Sequence, residues 1–379
     1  MEVRIEGTAA CEARLALALL KGLSRARLLE ILRASGTPEG VFPAPGRERT
    51  VRSPSPAEEA LLDRDLGPEI AGQLKLGALV ESYVCAWTDA QYPALLREIN
   101  YPPLVLFWRG DISVAARPAV AVVGSRKCSH SGRLVAERLG RALAGEGLVV
   151  VSGLARGIDT AAHRGALEAG GVTVAVLGSG VDVCYPAENR KLLAEILERG
   201  AALSEFPLGT APLRQNFPLR NRIVSGLSLG VVVVEAGEGS GALVTVEHAL
   251  MQGREVFAVP GDTTLNSTIS SNRLLKEGAK LVTKVEDILE ELGAQVREGL
   301  EPLPRTPVER EGVSCEEERM LQNLSHVPKN VDEICSQTGM KTADVLSLLL
   351  SLELKGLVRQ EPGDLFLRNP GALSPRRPE

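Results

Sequence analysis

Short apolar runs alternate with helical patterns through the middle of the chain. The runs are rich in valine, and the segments between them repeat their apolar positions every three or four residues. Continuous apolar runs predict strands buried on both faces, and the alternation predicts a parallel, doubly wound α/β sheet. Right-handed crossovers would bring the loops that follow these strands to one edge of the sheet. The predicted strands span residues 119–123, 148–151, 172–177, 201–206, 231–235, 255–259 and 280–283.

The segments on either side of this region have different patterns. Helical spacing at 11–34 and 58–76 predicts a small helical N-terminal domain, with a proline- and arginine-rich loop at 43–56. A polar, proline-rich stretch predicts a linker, and three short helices followed by a hairpin predict a winged helix. The expected architecture is a helical domain at 1–82, an extended Rossmann-like parallel sheet domain at 83–292, a linker at 293–312 and a winged-helix domain at 313–370.

Composition limits the classes of protein that fit this pattern. The chain has 379 residues, of which 44% are hydrophobic, so it can bury the cores of several domains. Its formal net charge is −5, so a site for a polyanion must be a local patch of arginine and lysine. Six scattered cysteines without a CxxC pair are typical of reduced thiols in the cytosol. The sequence shows neither a signal peptide nor a long apolar stretch, so we expect a cytoplasmic protein outside the membrane.

The loop after the first predicted strand combines a glycine with two basic residues. Gly124 lets a backbone approach closely, the next helix offers free N–H groups, and Arg126 adds positive charge. These features favour a phosphate group, although a tight turn with a surface arginine explains them equally well. The candidate binding residues here are Gly124, Ser125, Arg126 and Lys127.

Two further strand-end loops offer small residues before a helix. This arrangement exposes backbone N–H groups that can receive an anion. The loop after the second strand also contains Arg156, which could bind a phosphate or pair with an acid. The candidate residues in these two loops are Ser152, Gly153, Arg156, Ser240 and Gly241.

The stretch from 206 to 234 contains three arginines and no acidic residue. In an acidic protein, this composition predicts an electrostatic groove for phosphates. Phe217 lies beside the arginines and before a proline, which predicts an extended loop. An exposed ring there can stack on an unpaired base for roughly 1–3 kcal/mol, whereas the alternative is a ring that plugs the domain edge. The candidate residues are Arg214, Phe217, Arg220, Asn221 and Arg222.

The motifs of common cofactor-dependent enzymes are missing. The sequence GSRKCS at 124–129 is not GxGxxG, and GxxxxGK[ST] does not occur, so NAD and ATP sites of the usual kind are not expected. No paired carboxylates or Ser-His-Asp arrangement stand out, and we expect Asp159 and His163 to cap a helix and pack locally. We therefore expect a protein that is not an enzyme and has no cofactor or metal.

Several longer sequence blocks follow one another in a fixed order. They read VAVVGSR at 120–126, VVSGLARGIDTAAH at 150–163, VLGSGVDVCYPAENR at 176–190, NFPLRNRIVSGLS at 216–228 and GREVFAVPG at 253–261. On these blocks the chain resembles the DNA-processing protein A (DprA/Smf) family. By motif position, the resemblance implies a DNA pocket at Gly124, Ser125, Arg126, Ser152, Gly153, Arg156, Phe217, Arg220, Asn221 and Arg222.

The resemblance also implies a function. Members of this family bind single-stranded DNA without base preference, form homodimers, protect incoming DNA during natural transformation of competent cells and load the RecA recombinase onto it. The implied N-terminal domain is of the SAM/helix-hairpin-helix kind, but Lys21-Gly22-Leu23-Ser24 replaces the usual GIG turn, which argues against DNA binding there. The predicted recognition helix has basic charge only at Lys341 and Lys355, which favours a protein-contact or regulatory role over duplex reading.

Two other functions remain open at this stage. A nucleotide-metabolising enzyme of the phosphoribohydrolase kind could have the same architecture, although its PGGxGTxxE sequence is missing. A protein that senses a small anionic nucleotide in the same pocket and binds DNA elsewhere also fits.

Overall fold

The computed structural model describes residues 4–44, 46–50, 55–293, 314–325, 327–361 and 363–368. The chain divides into two compact units, 1–305 and 306–379. Most of the predicted linker at 293–312 and the end of the predicted winged helix at 369–370 lie outside the described residues. The four predicted domain ranges stay predictions.

Five helices precede the sheet. The first predicted helical segment is divided in two because Gly22 has a φ of 104° and Ser24 caps the second helix through the backbone N–H of Arg27 at 3.2 Å. The leucine spacing continues across this break, so periodicity alone does not show it. The helices are α1 Ala9–Leu19, α2 Arg25–Ser35, α3 Pro38–Val41, α4 Pro56–Leu62 and α5 Gly67–Val80.

A nine-stranded, mostly parallel sheet forms the centre of the first unit. Its order is β1-β2-β6-β5-β4-β3-β7-β8-β9, and the chain reverses its direction across the sheet between β3 and β7. The parallel Rossmann-like core is confirmed, and the two-stranded antiparallel edge at β1 and β2 was not predicted. The strands are β1 Tyr83–Ala86, β2 Val105–Gly110, β3 Ala119–Val123, β4 Val149–Ser152, β5 Thr173–Val176, β6 Ala201–Ser204, β7 Gly230–Val233, β8 Glu255–Ala258 and β9 Lys280–Leu281.

Helices cover both faces of this sheet. Alternate residues of β3 belong to opposite cores: Val120 and Val122 pack in one cluster, whereas Ala121 and Val123 pack in the other. This is the arrangement that continuous valine runs predict. The helices are α6 Ala94–Arg97, α7 His130–Gly145, α8 Ile158–Glu168, α9 Arg190–Arg199, α10 Asn216–Gly226, α11 Ala242–Met251, α12 Ile269–Lys276 and α13 Val285–Leu292.

The helical domain packs directly on the antiparallel edge of the sheet. Buried Leu15 and Leu32 belong to the same apolar cluster as Phe107 of β2. The Arg14 guanidinium donates two hydrogen bonds to the Asp89 carboxylate, at 2.7 and 2.6 Å. The two parts therefore share a core and a buried ion pair within one unit.

The second unit is a small winged helix, as predicted. Its three-stranded antiparallel sheet has the order β10-β12-β11 and packs on the helices through Ile334, Val345, Leu349 and Phe366. The elements are α14 Cys315–Asn323, β10 Lys329–Asn330, α15 Val331–Thr338, α16 Thr342–Leu354, β11 Val358–Glu361 and β12 Leu365–Arg368.

One carboxylate ties the helices of this unit together. Glu317 accepts hydrogen bonds from Lys355 Nζ at 2.7 Å and from Ser351 Oγ at 2.6 Å. It also accepts from the backbone N–H of Ser314 at 2.6 Å. The hydrogen bond from Lys355, together with those from Ser351 and Ser314, lowers the pKa of Glu317 to about 2.

Replacing Glu317 with glutamine is therefore expected to loosen the winged helix at neutral pH. Amide hydrogen exchange in residues 314–325 and 342–354 should become about 10-fold faster, which corresponds to the loss of one charged hydrogen bond. Because the carboxylate stabilises the fold only while it is ionised, the difference from wild type should shrink as the pH falls from 4.5 towards 2. Exposed Glu316→Gln is the matched control, and equal exchange in both variants would contradict the assignment.

Candidate nucleic-acid interface

A cavity of about 850 Å³ opens at the carboxyl edge of the sheet, beside the point where the strand order reverses. Open α/β sheets bind ligands at this position. The loop after β3, the loop after β7 and the first turns of α10 form its walls. Of the residues predicted from sequence, the cavity is lined by Gly124, Ser125, Arg126, Lys127, Gly153, Arg214, Phe217, Arg220, Asn221, Ser240 and Gly241.

The two main wall loops are fixed to each other through their backbones. The N–H of Ser125 donates to the carbonyl oxygen of Glu235 at 2.7 Å. A Cβ on Gly124 would lie 2.8 Å from that same oxygen, so a larger residue would push the loops apart. The Glu235 carboxylate accepts from the Ser129 hydroxyl at 2.6 Å and from its backbone N–H at 2.9 Å, at the start of α7. The loop geometry is therefore set before any ligand arrives.

Three basic side chains at the cavity are exposed and without an acidic partner among the described residues. They are Arg126, Lys127 and Arg214. The acidic residue that faces the same space with an exposed side chain is Glu238. In a chain with a net charge of −5, this is a local cationic site that suits an anion.

Arg220 lines the cavity, but it is a buried residue and not the exposed phosphate-binding arginine that the sequence predicts. The residue is 3% exposed, and its Nη1 donates to the carbonyl oxygens of Gly153, at 2.7 Å, and of Val176. A Cβ on Gly153 would lie 2.5 Å from this guanidinium, so the glycine provides the space that it occupies. Burial, with a contribution from the nearby Arg126 charge, lowers the pKa of Arg220 to about 10, while Asp159 opposes the shift. Arg220 thus forms the cavity floor and ties the ends of β4 and β5 together.

Arg222 does not reach the cavity, which corrects the prediction for this residue. Its Nη2 lies 2.6 Å from Oε2 of Glu205, and both side chains are buried. Arg25 from α2 approaches the same oxygen at 2.7 Å. The two guanidiniums share one carboxylate, which compensates the charge of the buried Arg222. Arg222 therefore joins α10 to the helical domain instead of facing a ligand.

Two other candidates also lie outside the cavity lining. Ser152 is fully buried, and its hydroxyl donates to the carbonyl oxygen of Val122 at 2.7 Å. Arg156 is exposed and donates to the Glu188 carboxylate, with Nη2 at 3.0 Å from Oε2. The sequence was consistent with either a phosphate or an acidic residue as the partner of Arg156. In the structure the partner is Glu188.

The segment predicted as an extended loop around Phe217 is helical. Helix α10 begins at Asn216, and Pro218 occupies its first turn. Proline is accepted there because N–H groups in the first turn have no partner within the helix. Phe217, Arg220, Asn221 and Val224 all line the cavity, which is the i, i+3, i+4, i+7 spacing of one helix face.

Phe217 is partly covered by its neighbours. The Arg126 guanidinium carbon lies 4.9 Å from the centre of the ring, in a cation–π contact. The Tyr185 ring centre is 5.6 Å away, at an interplanar angle of 44°. Sequence reasoning did not select Tyr185, although the available signal was an aromatic residue in the quoted block at 176–190, in the loop that follows β5.

Asp159 and His163 shape the loop after β4. The Asp159 carboxylate accepts from the backbone N–H groups of Gly153 at 3.1 Å and Ala155 at 3.2 Å, so it holds this loop instead of capping its own helix. Burial raises the pKa of Asp159, and the charge of Arg220 opposes that shift. His163 Nδ1 lies 2.6 Å from the Thr173 hydroxyl in the core beneath.

Three leucines are exposed on helix α16 of the second unit. Leu346, Leu350 and Leu354 are 45%, 58% and 82% exposed, at four-residue spacing. A helix that reads the major groove presents arginine, lysine or asparagine there. The expectation that this domain does not primarily read duplex DNA stays a prediction, and the leucines favour it.

The described residues contain no group of three or more histidine, cysteine, aspartate or glutamate side chains placed to hold a metal ion. No helix in the described part of the chain is long and apolar enough to span a membrane.

Fold and cavity together define a Rossmann-like protein whose candidate ligand site is a cationic, glycine-lined hollow at the reversal point of a parallel sheet. The family model described as DNA recombination-mediator protein A matches residues 83–293, and the model described as the DprA winged helix domain matches residues 302–364. The chain belongs to the DNA recombination-mediator protein A family, which confirms the resemblance found in its sequence.

Relatives with known names support this membership. Protein Smf of Escherichia coli is 43% identical over 282 residues, which cover 72% of this chain and 73% of that protein. DNA processing protein DprA of Streptococcus pneumoniae is 48% identical over 203 residues, covering 54% of this chain and 72% of that protein.

Two solved structures are similar as well. The X-ray structure of DNA processing protein A from S. pneumoniae has a TM-score of 0.63 and 36% identity, and covers 76% of this chain and 99% of that one. DNA processing protein A from Helicobacter pylori has a TM-score of 0.51 and 28% identity, covering 56% of this chain and 96% of that one. The structural work on the H. pylori protein concerns its single-stranded DNA binding mode.

Proposed function

We propose that this chain binds single-stranded DNA through the cavity, without preference for base sequence. The observation that carries the proposal is the cluster of Arg126, Lys127 and Arg214, exposed at a pre-formed, glycine-lined cavity and unpaired among the described residues. Exposed cations bind the sugar-phosphate backbone, and a neighbouring aromatic ring can meet an unpaired base. Membership in a DNA-processing family and the single-strand binding of the H. pylori relative support the same function.

Lack of base preference follows from the cavity lining. The walls combine basic side chains with backbone and small residues from the loops after β3 and β7. Such a lining can hold phosphates wherever they fall along a strand, because backbone contacts carry no sequence information. Aromatic stacking is equally tolerant, since every base has a π face.

Replacing Arg126 with alanine should reduce the salt dependence of single-strand binding. One lost phosphate contact lowers the slope of log affinity against log salt by about 0.7, the value for single strands. The measurement is oligo-dT binding by fluorescence anisotropy across a range of salt concentrations. Arg138→Ala, an exposed arginine of α7 away from the cavity lining, is the matched control and should keep the wild-type slope. A wild-type isotherm insensitive to salt would defeat the proposal.

The finer role rests on family membership alone. We propose that the chain works in the cytoplasm as a homodimer, protects incoming DNA during natural transformation and loads the RecA recombinase onto it. We also propose that it acts by binding and not as an enzyme.

The nucleotide-sensing and nucleotide-metabolising alternatives would use the same cavity. A competition experiment separates them from DNA binding: mononucleotides at millimolar concentration should displace oligo-dT only weakly, because a mononucleotide cannot span several cations. Tight mononucleotide binding that leaves oligo-dT in place would favour a sensor with DNA bound elsewhere, and release of free base from nucleoside monophosphates would favour a hydrolase.

A further inference from the structure

Tyr185 is an exposed aromatic side chain at the cavity that the proposed contacts do not use. It lies in the loop between β5 and α9, is 38% exposed and lines the cavity. An aromatic ring left partly open to solvent beside cationic groups has the properties of a base-stacking surface.

The Phe217 ring is less accessible than that of Tyr185. Arg126 lies over the Phe217 ring, with its guanidinium carbon 4.9 Å from the ring centre. A Cβ on Gly178 would lie 2.9 Å from Phe217 Cδ1, so the ring also packs closely against this backbone. A base can stack on Phe217 only where Arg126 leaves part of the face free, whereas Tyr185 offers its exposed area directly.

Neighbouring groups hold the tyrosine in place. Its ring packs beside that of Phe217, and its phenol group interacts electrostatically with the Arg156 guanidinium. The same guanidinium donates to Glu188, with Nη2 at 3.0 Å from Oε2. Arg156 lies outside the cavity lining, and its ion pair with Glu188 keeps the guanidinium beside the tyrosine. A ring whose orientation is fixed loses little conformational entropy when a base stacks on it.

The two rings are placed for two bases of one strand. Their centres are 5.6 Å apart and their planes are inclined by 44°. One continuous stack of parallel bases therefore cannot lie against the faces of both rings. Two neighbouring bases can each contact one ring if the backbone between them turns, so that their planes are inclined to each other.

We propose that Tyr185 is a second stacking residue of the site, which receives a base adjacent to the one at Phe217. The ligand class is therefore a single strand with at least two unpaired bases and the phosphate between them. The inference rests on the proposed function.

The test uses the full chain and oligo-dT strands that carry one 2-aminopurine at successive positions. Stacking on an aromatic side chain changes the fluorescence of this base analogue. Tyr185→Leu should bind about 10-fold more weakly and lose the fluorescence change at one position, since a stacked base contributes roughly 1–3 kcal/mol, or about 5- to 150-fold. Phe217→Leu should lose the change at an adjacent position.

Two control variants separate stacking from other effects. Tyr185→Phe keeps the ring and should bind within about 2-fold of wild type, and Tyr101→Leu removes a tyrosine that is 64% exposed outside the cavity lining and should change nothing. Wild-type affinity and fluorescence in Tyr185→Leu would overturn the inference while leaving the proposed function intact. Equal weakening by Tyr185→Phe and Tyr185→Leu would also overturn it, because the hydroxyl and not the ring would then matter. Failure of wild type to bind oligo-dT would instead refute the proposed function.

Discussion

Replacing Arg220 with alanine is expected to destabilise the first unit by about 3 kcal/mol and to weaken single-strand binding with it. The substitution removes a buried donor from the carbonyl oxygens of Gly153 and Val176, at the ends of two neighbouring strands. It also removes the positive charge that opposes the raised pKa of buried Asp159. Urea unfolding followed by tryptophan fluorescence measures this loss, because Trp108 is fully buried in the sheet of the same unit.

The same experiment decides between a structural and a purely ligand-binding Arg220. The sequence predicted that Arg220 binds phosphate at the surface. Loss of such a residue would lower the slope of log affinity against log salt without a loss of stability. Arg214→Ala is the matched control, since Arg214 is exposed at the cavity and should leave stability within about 0.5 kcal/mol of wild type. If Arg220→Ala unfolded at the wild-type urea concentration while the salt slope fell, Arg220 would be a surface phosphate contact after all.

The roles of Arg214, Arg220 and Arg222 could be predicted from the sequence only in part. Charge composition identified the stretch at 206–234, but the distinction between inward and outward side chains depends on the local backbone. Pro218 suggested an extended loop, in which every arginine could face a ligand. In the helix that forms instead, Phe217 and Arg220 share one face and Arg222 points elsewhere, towards Glu205. Knowledge of the helix would have separated Arg220 from Arg222, whereas Arg214 precedes the helix.

The sheet was more predictable than the site because its signal is local and repeated. The central parallel strands β3, β4, β5 and β7 are valine-rich runs buried on both faces. The rule that strand ends meet at one edge placed Gly124, Gly153 and Gly241 at one cavity. The antiparallel edge was missed because the pairing of β1 with β2, and of β2 with β6, joins residues far apart in the chain. The stacked rings of Tyr83 and Trp108, 5.4 Å apart, hold this edge and connect residues that no sequence period relates.

Acidification from pH 7 to pH 5 is expected to cost the first unit about 2 kcal/mol of stability through His163 alone. Burial lowers the pKa of His163 from 6.5 to about 3, and the charge of Arg220 adds to the shift. Since the Thr173 hydroxyl donates to the carbonyl oxygen of Val150 at 2.6 Å, it accepts from Nδ1–H of the histidine. The unfolded chain therefore binds a proton below pH 6.5 that the folded chain does not take up until about pH 3, so stability falls throughout that range.

His163→Asn tests this dependence, because the asparagine amide can replace Nδ1–H towards Thr173 but cannot become charged. The variant should be less stable at pH 7, since the smaller side chain leaves space in the core, yet its stability should fall by about 2 kcal/mol less than that of wild type between pH 7 and pH 5. The raised pKa of Asp159 stabilises the fold in acid, but it acts equally in both proteins and cancels in the comparison. Exposed His130→Asn should keep the wild-type dependence, and parallel pH profiles for His163→Asn and wild type would show that another group controls acid stability.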